Sequence, residues 1–366
     1  TGSTTNLTLS AIGATGADSS GQGAAGTIFT KTASQTYGDL LIQNGTPNTA
    51  YYTSETQPTT PLDMSLALDS LTASSGASIL LSNVGAYTLA TTTLDQSALT
   101  ATTSDTITVV DFTFGTSSFL RIATGTTFDN GTYPNWGDSN TIVERGVVNF
   151  PTSLTVPAGA TYVADRARSF TDLTVTGILT HSGNGATQEY ILDFDISGDL
   201  TINSGGSIDV SEAGYSNGNG GNGPGGGVSG SGSGGGGAYG GDGGDGGTAG
   251  GTAYGSTTNP VQLGSGGDDG GYVGGDGGGL ALLSVTGTTT INGTINANGG
   301  AGTGNAVVGS SGAGGASGGA VNLTTGGLAG TGSVTANGGS GMNDNNDGGN
   351  GAGGRIALVY TTGSTT

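Results

Sequence analysis

The chain has 366 residues, 80 of them Gly and none Cys, and its net charge of −20 comes from 26 acidic residues against 6 Lys and Arg. So few cations cannot neutralise a run of phosphates or grip an anionic bilayer, which argues against nucleic acid and anionic lipid as partners. No stretch approaches the ~18 apolar residues of a spanning helix. Gly comes in irregular runs with only 8 Pro, which is not the collagen pattern. Gly, Thr, Ser and Asn are mediocre to poor helix formers.

In chain order, residues 1–48 open on Thr1-Gly2-Ser3-Thr4-Thr5 and continue into a short strand, Asn6-Leu7-Thr8-Leu9-Ser10-Ala11. A second strand is expected at Gly26-Thr27-Ile28-Phe29-Thr30. Residues 49–195 read as β-solenoid coils. Short Thr-, Val-, Ile- and Phe-rich runs at 66–71, 79–81, 87–89, 106–114, 119–122, 147–150, 154–156 and 173–175 alternate with Gly-, Ser- and Asn-rich breaks about every ten residues. Alternation of this kind suits half-buried strands.

Residues 196–366 form a glycine-rich repeat region. Gly279–Gly287 leads to Gly293-Thr294-Ile295-Asn296-Ala297-Asn298-Gly299-Gly300, and Gly319–Gly326 leads to Gly332-Ser333-Val334-Thr335-Ala336-Asn337-Gly338-Gly339. A third copy opens at Gly354-Arg355-Ile356-Ala357-Leu358-Val359-Tyr360. Such self-similarity marks stacked supersecondary units that cannot bury their apolar faces alone. The dense Gly tract 214–279 has two readings, a flexible linker or an ordered polyglycine-II-like layer. Its recurring Tyr215, Tyr239, Tyr254 and Tyr272 favour the layer, because a spacer has no use for them.

The last five residues, Thr362-Gly363-Ser364-Thr365-Thr366, repeat Thr1–Thr5 in type and order. Overlaying the two supplies the third copy with the strand that it lacks. The expectation is a head-to-tail junction carried by Thr1, Gly2, Ser3, Thr4, Thr5, Asn6, Leu7 and Leu9 on one side. Arg355, Ile356, Leu358 and Tyr360 carry the other. The chain is then either a separate subunit or one unit of a longer array, and the first residue, which is not Met, suits a processed or excised segment.

The paired modules and the tail Gly353-Gly354-Arg355-Ile356-Ala357 resemble the glycine-rich repeats of large bacterial cell-surface proteins of the parallel β-helix, adhesin-like kind. The resemblance covers about residues 171–366 and 1–45. It implies an exported, elongated surface or filament protein, and it brings no catalytic motif.

Side-chain chemistry is sparse. One His and no Cys leave no material for a His-based triad, a thiol nucleophile or a Cys/His zinc site. His181, at a strand end, reads as a solvated turn residue. In Leu192-Asp193-Phe194-Asp195-Ile196 the alternation places both Asp side chains on one outer face, ~7 Å apart. Paired carboxylates at such a distance can serve an inverting glycosidase, and solvated surface acids look the same. Arg166 and Arg168 read as ion-pair partners. Calcium is the one cofactor the sequence points to, at Asn343, Asn345 and Asp347, although the closing bidentate Glu of an EF-hand is missing. Two further acidic clusters, Asp268-Asp269 with Asp276 and Asp242 with Asp245, offer oxygen ligands, with solvated acidic turns as the competing reading. Trp136 either packs locally or offers a ring to a sugar.

The expected architecture is all-β, a right-handed parallel β-helix or solenoid with a glycine-rich layer. The expected function is structural and non-enzymatic, a unit of an extracellular filament, stalk or sheath whose main partner is itself. A glycan-binding adhesin is the alternative, and a polysaccharide-active enzyme comes third.

Overall fold

A computed structural model describes residues 8–13, 23–45, 58–62, 65–82, 86–104, 106–130, 136, 139–230, 232–304, 311–342 and 347–363. Among them every regular element is a β-strand, so the all-β expectation holds and no helix is long and apolar enough to cross a membrane. The chain divides into two compact units. The first comprises Thr1–Pro151 and Gly159–Thr161, the second Thr152–Ala158 and Tyr162–Thr366.

In the first unit, like positions recur every 20 to 22 residues and pair in parallel. Leu66, Tyr87, Ile107, Phe128 and Val148 are neighbours on successive strands, as are Leu68, Leu89 and Val109. The second half of each repeat forms another parallel sheet, in which Ile79, Leu99, Leu120 and Ile142 line up and are fully buried. Period-2 side-chain placement keeps these columns on the core face, and their partners Thr88 and Thr108 face solvent. Between the two sheets the backbone turns through a left-handed residue, Ser75, Gln96, Ser117 and Ser139 in successive repeats, with φ between 48° and 65°. Thr27–Thr30 forms an antiparallel hairpin with Asp39–Gln43 at the edge of the first sheet.

The second unit uses the same device with longer repeats. One column runs Val156, Val175, Ile202 and Ile291, and another Leu179, Ile208, Ile295 and Val334. A third runs Leu192, Ala281, Val321 and Ile356, with Phe194, Leu283, Leu323 and Leu358 beside it. Leu192 and Ala281 are neighbours although the Gly tract lies between them in sequence. The chain leaves the sheets after Asp209, Asn296 and Thr335 and returns each time as a new strand at Leu280, Ala320 and Arg355.

The three excursions are held together largely by backbone hydrogen bonds. Gly278 donates to Ser317 O, Gly237 to Gly315 O, Gly315 to Gly349 O and Gly318 to Ala352 O, each at 2.9 Å. Segments approach too closely for side chains: a Cβ on Gly235 would lie 1.9 Å from Ala249 O. That close approach is the physical reason for the glycine content. Tyr215, Tyr239 and Leu263 of the first excursion pack on Leu280 and Ala320, with Ile191, Tyr254 and Leu282 alongside. The Tyr239 and Tyr254 ring centroids are 4.8 Å apart. The tract is therefore a packed layer with an aromatic anchor on the sheet, which answers the linker reading.

Candidate functional site

The feature that distinguishes one end of the second unit is the strand Arg355–Gly363. It pairs with Ala320–Ala329 on one side, and among the described residues its other side pairs with no strand. The column positions change character here. Val321 and Leu323 are fully buried, whereas their neighbour Ile356 is 43% exposed and Leu358 and Tyr360 are partly so. Val359 is exposed as well. Beside the strand lies a groove of about 410 Å³ lined by Ile291, Leu328, Val334, Ile356 and Leu358 and floored by the Gly330–Gly332 turn. A row of aliphatic side chains that is core in every earlier repeat is thus half open in the last one.

The main chain at this edge follows the same logic. In the preceding repeats Val210 N–H donates to Asn296 O, and Ala297 N–H donates to Thr335 O. Likewise Glu212 donates to Asn298 O and Gly299 to Asn337 O, while Gly278 donates to Ser317 O and Gly318 to Ala352 O. The next members of these three series are Ala336, Gly338 and Gly353, and none of them donates to an acceptor among the described residues. A Cβ on Gly318 would meet Ala336 O at 2.3 Å, but one on Gly353 would find nothing nearer than Ala336 O at 4.0 Å. The glycine is present where the close approach that requires it is missing.

Of the expected junction residues, Arg355, Ile356, Leu358 and Tyr360 lie on this edge strand, and Leu9 is 49% exposed. Thr1, Gly2, Ser3, Thr4, Thr5, Asn6 and Leu7 lie outside the described residues. Arg355 also has an inward role. Its Nε and Nη2 donate to Tyr254 O at 3.1 and 2.7 Å and its Nη2 to Tyr239 O at 3.2 Å, with the guanidinium carbon 5.3 Å from the Tyr239 ring centroid. It ties the glycine layer to the last strand. Burial pushes the Tyr239 phenol up to about 12 and raises that of Tyr254 further, so both stay neutral within the anchor.

The other candidates from sequence fare differently. His181 is not a solvated turn residue: it is 3% exposed. Its Nδ1 lies 2.8 Å from Ser182 O and its Nε2 accepts from Leu280 N–H at 3.2 Å, so the ring is neutral with the proton on Nδ1. Burial lowers its pKa below the ordinary 6.5. The misreading has a simple origin, because the strand that covers the ring arrives 99 residues later.

Asp193 and Asp195 do share the outer face of Leu192–Ile196 while Leu192, Phe194 and Ile196 are buried. Partial burial, and then the charge of Asp195, raise the pKa of Asp193. Asp195 borders an open groove of about 380 Å³ whose polar lining is otherwise Ser and Thr. The Arg168 guanidinium lies over the Phe170 ring, 5.3 Å from its centroid, and neither Arg166 nor Arg168 is without a partner. Trp136 is 2% exposed and packs against Phe150 with ring centroids 5.9 Å apart, a local packing role.

Asp347 is exposed, whereas Asn343 and Asn345 lie outside the described residues. The tract's acids act as acceptors for backbone N–H groups. Asp242 accepts from Ala253, Asp245 from Gly250, Asp268 from Gly220, Asp269 from Gly274 and Asp276 from Asn217, at 2.6–3.0 Å. Among the described residues no three His, Asp or Glu side chains are grouped to hold a metal ion.

Comparison with known proteins returns no matching family model, curated protein or solved structure.

Proposed function

We propose that the chain is a structural module, a right-handed parallel β-helix with a polyglycine-II-like flank, that extends by adding a further repeat at the Arg355–Gly363 edge. On this reading it is a unit of an extracellular filament, stalk or sheath of the bacterial cell surface. The observation that carries the proposal is the opened core column at Ile356 and Leu358, whose counterparts in earlier repeats are fully buried. Aliphatic surface of this kind beside an unpaired strand is a template for strand addition. Main-chain hydrogen bonds and stacked apolar columns join one repeat to the next, so the mechanism needs no reactive side chain. The glycine-rich modules that resemble bacterial surface repeats agree with this placement.

Negative-stain images of the native material test the proposal. Long, uniform fibres are expected, whether the native polypeptide has a mass near 34.9 kDa or is a larger tandem array. Compact single particles at every concentration would refute it.

A further inference from the structure

The open edge has a definite shape requirement, and one other part of this chain meets it. In each repeat of the second unit a glycine just before the returning strand donates to the residue that follows the preceding short strand. Gly279 donates to Val210 O, Gly319 to Ala297 O and Gly354 to Ala336 O, all at 2.7 Å. Residues 8–30 of the first unit reproduce this contact: Gly26 donates to Ala11 O at 2.8 Å, and the strand Thr27–Thr30 follows at once.

A second geometric signature agrees. A Cβ on Gly299 would meet the carbonyls of Ser317 and Ala316 at 2.4 and 2.5 Å, and one on Gly338 those of Gly351 and Ala352 at 2.2 and 2.5 Å. Gly13, two residues after Ala11 as Gly299 is two after Ala297, would meet the carbonyls of Gly23 and Ala24 at 2.2 and 2.5 Å. Residues 8–13 and 23–30 therefore have the local fold of a glycine-layer repeat, although they lie in the other unit.

Resting on the extension proposed above, we infer that its partner is a second copy of this sequence, which seats its residues 8–13 and 23–30 on the Ala336–Gly363 edge of the first. The earlier repeats dictate the register. Ala297 N–H reaches the residue just before Ala336, Gly299 N–H the residue just after it, and Gly318 N–H the residue two before Gly354. Carried one repeat onward, Ala336, Gly338 and Gly353 donate to the carbonyls of Ser10, Ile12 and Ala24 of the second copy. Those three carbonyls accept no hydrogen bond among the described residues, so three idle donors meet three idle acceptors.

Apolar surface matches too. In this register Leu9, 49% exposed, falls beside Val334 and the half-buried Ile28 beside Ile356, on the groove walled by Ile356, Leu358 and Val334. Among the described residues Thr27–Thr30 pairs with a strand on one side only, which leaves its other edge to lie along Arg355–Gly363. A contact between two different surfaces of the same chain does not close on itself, and repetition yields a linear polymer.

Sedimentation velocity on the full chain over a wide concentration range, with two variants, tests this pairing. Gly353→Leu places a side chain into space that is open in the single molecule but that the Ala11 carbonyl and Gly26 of a docked copy would fill, as Ala336 and Gly354 do beside Gly318. The double change Leu9→Glu, Ile12→Glu spoils the opposite surface. The wild type is expected to form polymers that grow with concentration, and each variant alone to remain monomeric with an unchanged circular dichroism spectrum. An equimolar mixture of the two variants retains one competent pair of surfaces and stops at a heterodimer. A wild type that stays monomeric, variants that polymerise like the wild type, or a mixture without heterodimer would each overturn the pairing. Polymers that are lost on Gly353→Leu but survive the Leu9→Glu, Ile12→Glu change would leave extension at the edge standing with a different partner surface.

Discussion

Gly235→Ala reads directly on whether the glycine tract is a packed layer. In a flexible linker this change stabilises by about 0.4–1 kcal/mol, because Ala has fewer unfolded conformations to lose. In the structure the new methyl would lie 1.9 Å from Ala249 O and 2.6 Å from its carbon, so backbone must retreat by more than an ångström. Ala249 O accepts from Val228 N–H at 3.0 Å, a bond that the retreat breaks. Overpacking costs about 1–3 kcal/mol, and loss of the hydrogen bond between Val228 and Ala249, both exposed, adds about 0.5–1.5 kcal/mol. A net loss of about 3 kcal/mol is expected. For a unit of this size that corresponds to a melting temperature lower by roughly 6–12 °C. Gly241→Ala is the control, since a Cβ there meets nothing within 4 Å and the residue is not left-handed. Paired urea and thermal unfolding of both variants reads the difference. Equal, slightly stabilising effects at the two positions would refute the packed layer.

Further expectations concern the core, the single histidine and the anchor. Thr92 sits in the core column between Leu71 and Phe112 with its hydroxyl buried and unpartnered. Thr92→Val should therefore raise stability by about 1–2 kcal/mol in urea titration, and a loss of that size would contradict the placement. His181 is held neutral with a lowered pKa, so the unfolded chain takes up its proton first as pH falls through the ordinary 6.5. Stability should fall between about pH 7 and 5.5 with a slope of at most about 1.4 kcal/mol per pH unit from this group, and His181→Gln should remove that component of the slope. Arg355→Lys keeps the charge but loses the fork that spans Tyr239 O and Tyr254 O. Hydrogen exchange at residues 239–254 should quicken about tenfold or more, as loss of a charged hydrogen bond worth about 1.5–3 kcal/mol implies, and unchanged exchange would remove the anchor role.

The strands of the first unit were legible because Thr and Val alternate with a period that only a pleated strand uses. The strand Ala98–Ala101 was not, since it is short and preceded by Gln96 and Ser97 rather than by strong turn residues. Among the left-handed turns, Ser75 is marked by the Gly76 that follows it, whereas Gln96 has no glycine beside it. The 20–22-residue repeat was present only as its half-period, because each repeat has two strands and two breaks. At the candidate edge, sequence repetition pointed to Arg355, Ile356, Leu358 and Tyr360. It could not reveal the idle donors at Ala336, Gly338 and Gly353, because a hydrogen bond is recognised as missing only against the bonds made one repeat earlier.

The sequence by itself determined that this chain is built from short β-strands and that its later repeats stack. Those properties follow from composition and period, which act locally. Only the tertiary structure decided that the glycine tract is ordered, that His181 is buried, and that a core column opens at Ile356. Each of these depends on segments separated by tens of residues meeting at backbone distance. A glycine looks the same in sequence whether another chain segment lies against it or nothing does, and at Gly318 and Gly353 that difference marks the open edge.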